Sequence, residues 1–162
     1  MIDEYYMKIA LKEAKKSLYS EDIPIGAVIV LNGEIVAKAH NTREKEQKTI
    51  GHAEINAINK ANKKVGRYRL DGGVIYITKE PCLMCMGAIL SARISRIVYG
   101  MKDIRYGTEE LANNNKFNHK CEITGGILEE ECGTLVSQFF KTLRGNNENS
   151  RKTTNITKEE RK

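Results

Sequence analysis

The chain has 162 residues and a formal net charge of +6, with 27 Lys and Arg against 21 Asp and Glu. This length, with 40% apolar residues, fits one compact domain and makes a second large domain unnecessary. The sequence has no recognisable secretory leader and no apolar stretch near the roughly 20 residues that span a bilayer, so we expect a cytoplasmic protein. The basic charge favours a polyanionic partner.

The N-terminal half predicts a helix, a β-hairpin and a second helix. Apolar residues recur over residues 2 to 18 with the spacing of an amphipathic helix that covers one face of a sheet. Residues 25 to 31 predict a strand. The dipeptide Asn32-Gly33 follows it and predicts a two-residue type I′ turn into a second strand. A further helix is predicted over residues 53 to 62.

The middle of the chain predicts a strand, a helix and a strand in close succession. A strand at residues 74 to 78 leads into Glu80-Pro81. Pro81 at the first helical position predicts a helix that continues to about residue 92. Because a short strand follows at residues 97 to 99, we expect a right-handed parallel crossover in an α/β fold.

The C-terminal third predicts little regular structure before its last helix. Residues 101 to 119 are polar and irregular, so they form a candidate site loop. A short strand is predicted at residues 122 to 124 and a helix over residues 129 to 143. Apolar periodicity stops at Gly145. We therefore expect one domain over residues 1 to 144 and a disordered tail over residues 145 to 162.

Two short motifs contain the residues best suited to chemistry: H-A-E at residues 52 to 54 and P-C-L-M-C at residues 81 to 85. Cys82 and Cys85 share one face of a helix N-terminus, which favours their thiolates. His52, at the start of another helix, can supply a third ligand. Zinc with three N or S ligands keeps its fourth position open for water, as in catalytic sites. This pair of motifs is the known signature of zinc-dependent nucleobase deaminases.

Other interpretations of the cysteines explain less of the pattern. Four cysteines do not form a disulfide scaffold in a reducing cytosol. A redox-active Cys82-x-x-Cys85 pair leaves the H-A-E motif unexplained. A structural zinc site needs a fourth ligand, and the candidates are Cys121, Cys132, His40 and His119. We interpret Cys121 and Cys132 as small apolar residues of the core.

Glu54 has the side chain that a deamination reaction requires beside zinc. The exchange of an amine for oxygen needs a hydroxide nucleophile, a proton for the neighbouring ring nitrogen and a proton for the departing ammonia. Metal binding lowers the pKa of water from about 15.7 toward about 7. We therefore predict that Glu54 is the proton shuttle to a zinc-bound hydroxide. The alternative is a solvated carboxylate on a helix surface.

From about residue 2 to residue 143, the chain resembles the tRNA-specific adenosine deaminase branch of the cytidine deaminase-like superfamily. The matching stretches outside the two motifs are residues 24–28, 40–41, 55, 76–80, 86–89, 96–100, 118–120, 122–126, 131–132 and 139–140. The resemblance implies a three-layer α/β/α fold with a five-stranded mixed sheet. It also implies a homodimer, one zinc ion per subunit held by His52, Cys82 and Cys85, and hydrolysis of wobble adenosine to inosine in a tRNA anticodon.

The resemblance also implies three substrate contacts. Asn41 would hydrogen-bond the flipped base, which a site must do to distinguish one ring from another. Asp103 would contact the anticodon loop beside the base, and Phe140 would line the RNA-binding surface. The alternatives are that Asn41 caps its own turn, that Asp103 is a solvated surface acid and that Phe140 packs in the core. For Phe140 we favour core packing.

Two segments depart from the pattern of this family. After Asp103 the family usually has a loop of small residues, whereas residues 104 to 110 read I-R-Y-G-T-E-E and the region is several residues shorter. RNA contacts there are expected to differ. Before His52 the family usually has Pro-Thr-Ala, whereas Gly51 precedes His52 here. Because glycine is permissive at the start of a helix, we expect no effect on the chemistry.

Two other functions remain open on these residues. A deaminase of a free base or nucleoside, of the guanine or cytosine type, uses the same zinc and the same Glu54. A non-catalytic RNA-binding module or scaffold subunit has no need of Glu54. The basic charge and the aromatic residues of the last helix favour a tRNA substrate.

Overall fold

A computed structural model describes residues 1–114 and 116–159, so residue 115 of the predicted site loop and residues 160–162 lie outside the described residues. Five strands in this part of the chain form one sheet in the order β2-β1-β3-β4-β5. Their bounds are β1 Gly26–Leu31, β2 Glu34–His40, β3 Val74–Lys79, β4 Arg96–Met101 and β5 Glu122–Thr124. The α-helices are α1 Ile2–Lys16, α2 Arg43–Glu46, α3 Ala53–Val65, α4 Leu83–Ser91 and α5 Glu129–Glu159.

The sheet is mixed, as the resemblance implied. Strand β1 is antiparallel to both β2 and β3, whereas β4 is parallel to β3 and to β5. Helix α4 connects the parallel strands β3 and β4, which confirms that the crossover is parallel, while its right-handed sense stays a prediction. Asn32 and Gly33 have φ values of 51° and 75°, as a type I′ turn requires.

Helices cover both faces of the sheet and make three layers. Helices α1 and α5 pack on one face, against side chains such as Val28 and Tyr76. Helices α3 and α4 pack on the other face, against Ile29, Ile75 and Ile97. Every residue of β1 is buried, which explains its continuous apolar sequence. The predicted three-layer α/β/α architecture is confirmed.

Two predicted helix boundaries differ from those in the structure. Helix α1 ends at Lys16 and is followed by a 3-10 helix, Ser17–Ser20. Helix α4 begins at Leu83, so the placement of Pro81 at the first helical position was wrong. Cys82 has an extended backbone (φ −75°, ψ 175°) and its carbonyl oxygen accepts the N–H of Met86, as an N-cap residue does.

The last helix is longer than its apolar pattern predicted. Helix α5 continues to Glu159, so the expectation of disorder from Gly145 was wrong for the described residues. An established helix gains one hydrogen bond with each added residue, and no proline follows Pro81 in the sequence. Residues 144 to 152 are exposed, as their polar composition predicted. A domain boundary at residue 144 stays a prediction.

No helix in the described ranges combines the length and the apolar character that a membrane span requires.

Cys121 and Cys132 are each 1% exposed, which confirms that they are core residues. Cys121 lies in the apolar cluster on the face that α3 and α4 cover, and Cys132 lies in the cluster on the face that α1 and α5 cover.

Gly26, at the start of β1, is a point of close contact between the sheet and α1. A Cβ atom there would collide with the carbonyl oxygen of Ala10 and lie 2.7 Å from the nitrogen of Ala14. We therefore expect Gly26→Ala to destabilise the fold by about 1 to 3 kcal/mol, since backbone cannot move aside cheaply. The midpoint of urea unfolding measures this loss. Gly133→Ala is the control, because a Cβ at Gly133 meets open space. Equal midpoints for the two variants would contradict the close packing at Gly26.

Candidate active site

The ends of two helices bring the predicted metal ligands together. His52 is the N-cap residue of α3 and Cys82 is the N-cap residue of α4, while Cys85 lies in the first turn of α4. Nδ1 of His52 is 3.7 Å from Sγ of Cys82 and 3.4 Å from Sγ of Cys85. The three ligand atoms all lie within 4.8 Å of one another. One nitrogen and two sulfurs at this separation fit a zinc ion.

The candidates for a fourth protein ligand are engaged elsewhere. The ring of His40 contacts Glu13, and the ring of His119 contacts the carbonyl oxygen of Ile94. Cys121 and Cys132 are buried in the two cores described above. Within the described residues, the metal-binding cluster consists of His52, Cys82 and Cys85 alone. This composition is that of a catalytic site with an open position and not of a closed structural site.

The two cysteines differ in their protonation. A hydrogen bond from the Cys85 thiol lowers the pKa of Cys82 to about 3, and His52 adds to this effect. The same hydrogen bond raises the pKa of Cys85 above its ordinary value, and burial raises it further. The thiolate of Cys82 in turn raises the pKa of His52. Because zinc takes thiolates as ligands, its binding releases the proton of Cys85.

Glu54 lies in the first turn of α3, two residues after His52, and is 4% exposed. This burial excludes the alternative of a solvated surface carboxylate. Burial raises the pKa of the Glu54 carboxyl. A carboxyl whose pKa lies above its ordinary value can both accept and donate a proton closer to neutral pH.

A cavity of about 520 Å³ opens onto His52, Glu54 and Cys82. Its volume falls within the range of about 300 to 1,000 Å³ that is usual for small-ligand sites. The other lining residues come from the segment before β1, from the segment between β2 and α2, from the start of α2, from the end of β3 and the residue after it, from the loop after β4 and from α5. Among them are Asn41, Lys79, Asp103, Tyr106, Phe139 and Phe140. The structure thus brings all seven predicted site residues into one region, with Cys85 buried behind Cys82.

Asn41 is 6% exposed and holds the start of α3. Its Oδ1 accepts the N–H of Ala53 at 2.8 Å, so it does not cap its own turn. A backbone N–H can only donate, and the side-chain atom that it contacts must therefore be the oxygen. This assignment leaves the Nδ2 group as the hydrogen-bond donor that Asn41 can offer to the cavity.

Asp103 is a structured carboxylate and not a solvated one, since its side chain is 13% exposed. Its Oδ1 accepts the N–H groups of Arg105 at 3.1 Å and Tyr106 at 3.0 Å. Its Oδ2 lies 3.2 Å from Nζ of Lys79. Burial acts to raise the pKa of this carboxyl, but the Tyr106 N–H and Lys79 outweigh it and the pKa is lowered.

Phe140 is 38% exposed, so the favoured prediction of core packing was wrong. Its ring lies 5.3 Å from the ring of Phe139 at an interplanar angle of 70°, and both rings line the cavity. Among the residues of α5 whose burial is described, which end at residue 152, Val136 is the last that is buried. The periodic apolar pattern of α5 continues beyond that point, and there it faces the cavity.

Two buried carboxylates at the cavity were not predicted. Asp22 is 1% exposed and accepts the N–H groups of Glu44 at 2.6 Å and Lys45 at 3.2 Å. Glu80 accepts the N–H groups of Asp103 and Glu109. A possible signal for Glu80 was its place directly before Pro81 of the second motif, whereas Asp22 gave no comparable signal.

The family follows from two comparisons with known proteins. The model of the MafB19-like deaminase family matches residues 1–144. A tRNA-specific adenosine deaminase of Bacillus subtilis is 47% identical over 154 residues, which are 93% of this chain and 96% of that protein. The chain belongs to the tRNA-specific adenosine deaminase family.

Solved structures of deaminases match this chain, and one of them agrees with membership of the tRNA-specific adenosine deaminase family. One comes from a study of A-to-I editing by tRNA:A34 deaminases at the wobble position of transfer RNA. It matches with a TM-score of 0.78 and 35% identity, over 81% of this chain and 98% of that chain. A guanine deaminase of Bacillus subtilis matches with a TM-score of 0.58 and 39% identity, over 61% of this chain and 64% of its own. The predicted family resemblance is confirmed, and the ligand cluster is consistent with its zinc chemistry.

Proposed function

We propose that the protein hydrolyses adenosine to inosine at the wobble position of a tRNA anticodon. The observation that carries the proposal is a buried Glu54 beside the His52, Cys82 and Cys85 cluster, at the floor of a cavity. The name and the 47% identity of the Bacillus subtilis relative support the substrate. The net charge of +6 is consistent with an RNA partner.

His52, Cys82 and Cys85 would hold the zinc ion. When bound, zinc supplies Lewis-acid activation that lowers the pKa of water to about 7. The two thiolates offset the positive charge of the ion and weaken it as a Lewis acid. The reaction therefore depends strongly on proton transfer by the protein. Glu54 is the carboxylate placed to do this.

Glu54 moves two protons in the proposed reaction, each taken from water and passed to the substrate. Its carboxylate takes a proton from water, whose oxygen forms a bond to C6 of adenine. The carboxyl gives that proton to N1, the ring nitrogen next to C6. It then takes the second water proton and gives it to the amine, which leaves as ammonia when the C6–N bond breaks. Adenosine and water become inosine and ammonia, and Glu54 returns to its starting state.

The other predicted residues would bind the nucleotide. The Nδ2 group of Asn41 would donate to an acceptor on the flipped base, because its oxygen is occupied by Ala53. The ring of Phe140 would stack on a neighbouring base, which is a contact worth about 1 to 3 kcal/mol. Asp103 would contact the anticodon loop next to the reacting base. The homodimer that the resemblance implies and the cytoplasmic location that the sequence predicts belong to the same proposal.

Conversion of an anticodon stem-loop that has adenosine at the wobble position tests this function. Zinc-loaded protein should produce inosine in the stem-loop and leave free guanine and cytidine unchanged. The competing function is a guanine deaminase, to which the partial structural match points. Deamination of free guanine with an untouched stem-loop would overturn the tRNA proposal in favour of that alternative.

A further inference from the structure

Glu80 connects the zinc-ligand segment to the loop after β4. It lies directly before Pro81 and Cys82, and its side chain is 2% exposed. Its Oε1 accepts the N–H of Asp103 at 3.1 Å, and its Oε2 accepts the N–H of Glu109 at 3.0 Å. Both carboxylate oxygens are therefore bound to backbone donors at the two ends of residues 103–109, which we call the rim loop.

The rim loop also packs directly on this carboxylate. A Cβ atom at Gly107 would collide with Cδ and Oε1 of Glu80, so only glycine permits this approach. The hydroxyl of Thr108 donates a hydrogen bond to the carbonyl oxygen of Pro81 at 2.9 Å. Side chains of both segments, Glu80 from one and Thr108 from the other, thus hold the rim loop against the segment that supplies Cys82.

The position of the rim loop decides what lines one side of the cavity. Its first residue, Asp103, accepts the N–H groups of Arg105 and Tyr106, which shapes the turn. Tyr106 is 66% exposed and lines the cavity together with Asp103. An exposed aromatic ring at the cavity is suited to stack on a nucleobase. Tyr106 belongs to the segment, residues 104 to 110, that departs from the family pattern.

We propose that Glu80 is a positioning residue for substrate recognition, which rests on the function proposed above. Its carboxylate fixes the rim loop so that Asp103 and Tyr106 meet the substrate beside the zinc ligands. A carboxylate is required because it presents two acceptors and no donor. Glutamine presents one acceptor and one donor, so it would leave one of the two backbone N–H groups without a partner.

Glu80→Gln tests the proposal, with Glu110→Gln as its matched control. Glu110 is an exposed carboxylate of the 3-10 helix Glu109–Asn113, which begins at the end of the rim loop. Its substitution therefore removes the same charge close to the same loop. For Glu80→Gln we expect an increase of about tenfold in KM for the stem-loop, since one buried hydrogen bond is lost. We expect kcat and the zinc content to stay close to those of the wild type. Glu110→Gln should leave all three quantities unchanged.

Amide hydrogen exchange gives a second measurement that does not depend on turnover. In Glu80→Gln the amides of the rim loop should exchange faster than in the wild type, because their acceptor is impaired. Gly107→Ala disturbs the same contact from the loop side and leaves Glu80 intact. It should therefore raise KM and the exchange rate in the same way, even if Glu80→Gln folds poorly.

Several outcomes would overturn the role of Glu80. One is an unchanged KM in both variants, and another is a fall in kcat at unchanged KM. An equal increase in KM for Glu110→Gln would show that charge alone is responsible. A wild-type protein that leaves the stem-loop untouched would instead contradict the proposed function. In that case unchanged exchange in the two variants would still show separately that Glu80 does not hold the rim loop.

Discussion

Replacement of Glu54 by Gln should lower kcat for the wobble adenosine by about 10² to 10⁴-fold, the usual contribution of a general acid–base group. Gln has nearly the same shape but carries no titratable proton. Glu54 is 4% exposed, so bulk water has little access to the position from which this carboxylate would move protons. The measurement is single-turnover conversion of the stem-loop, together with the zinc content of the purified variant.

Glu13→Gln is the matched control for this substitution. Glu13 is 5% exposed and Glu54 is 4% exposed, so the two are similarly buried, but Glu13 lies in α1 and contacts Lys16 and His40. Its substitution should affect stability and leave the rate of the chemical step within a few-fold of the wild type. If Glu54→Gln retained zinc and lost less than about tenfold in rate, the assignment of Glu54 as the proton shuttle would be wrong.

Replacement of Cys85 by Ser should remove both zinc and activity. Cys85 is completely buried, and its sulfur lies 3.4 Å from Nδ1 of His52. A serine hydroxyl stays protonated at neutral pH and is a poor zinc ligand. Since loss of groups that merely orient the ligands costs about 10 to 100-fold in metal affinity, loss of a ligand should cost at least about 100-fold. Competition with a chelator measures this affinity.

Cys132→Ser is the control for Cys85→Ser, because it places the same hydroxyl group at a buried cysteine that is not a metal ligand. Cys132 is 1% exposed and packs in the apolar cluster between α1, α5 and the sheet. Its substitution should lower the free energy of unfolding but leave the zinc content and the rate per folded molecule unchanged. Equal zinc contents for Cys85→Ser and the wild type would contradict the three-ligand site.

The metal site could be predicted from the sequence because its parts are local. Cys82 and Cys85 are three residues apart, and Glu54 is two residues after His52. Each pair occupies the first turn of one helix, so its geometry depends on few neighbours. The parallel crossover through α4 was equally local. This crossover places Cys82 and Cys85 after the carboxyl end of β3, near the start of α3.

The parts that the sequence did not predict depend on contacts between distant segments. Glu80 binds backbone donors at Asp103 and Glu109, and a backbone N–H has no signature in the sequence. Asp22 binds the start of α2 in the same way. The apolar spacing of α5 identified a face that includes Phe140 but could not show that this face passes from the core to the cavity.

The fate of the oxygen atom at the wobble nucleotide tests the central claim most directly. Zinc-loaded protein would be incubated in ¹⁸O-labelled water with a tRNA that has adenosine at the wobble position. The tRNA would then be digested and the nucleosides identified by mass spectrometry. We expect inosine from the wobble position that carries one labelled oxygen atom, while adenosine elsewhere in the tRNA stays unchanged. An unaltered wobble adenosine, or inosine without the label, would contradict hydrolytic deamination of this nucleotide.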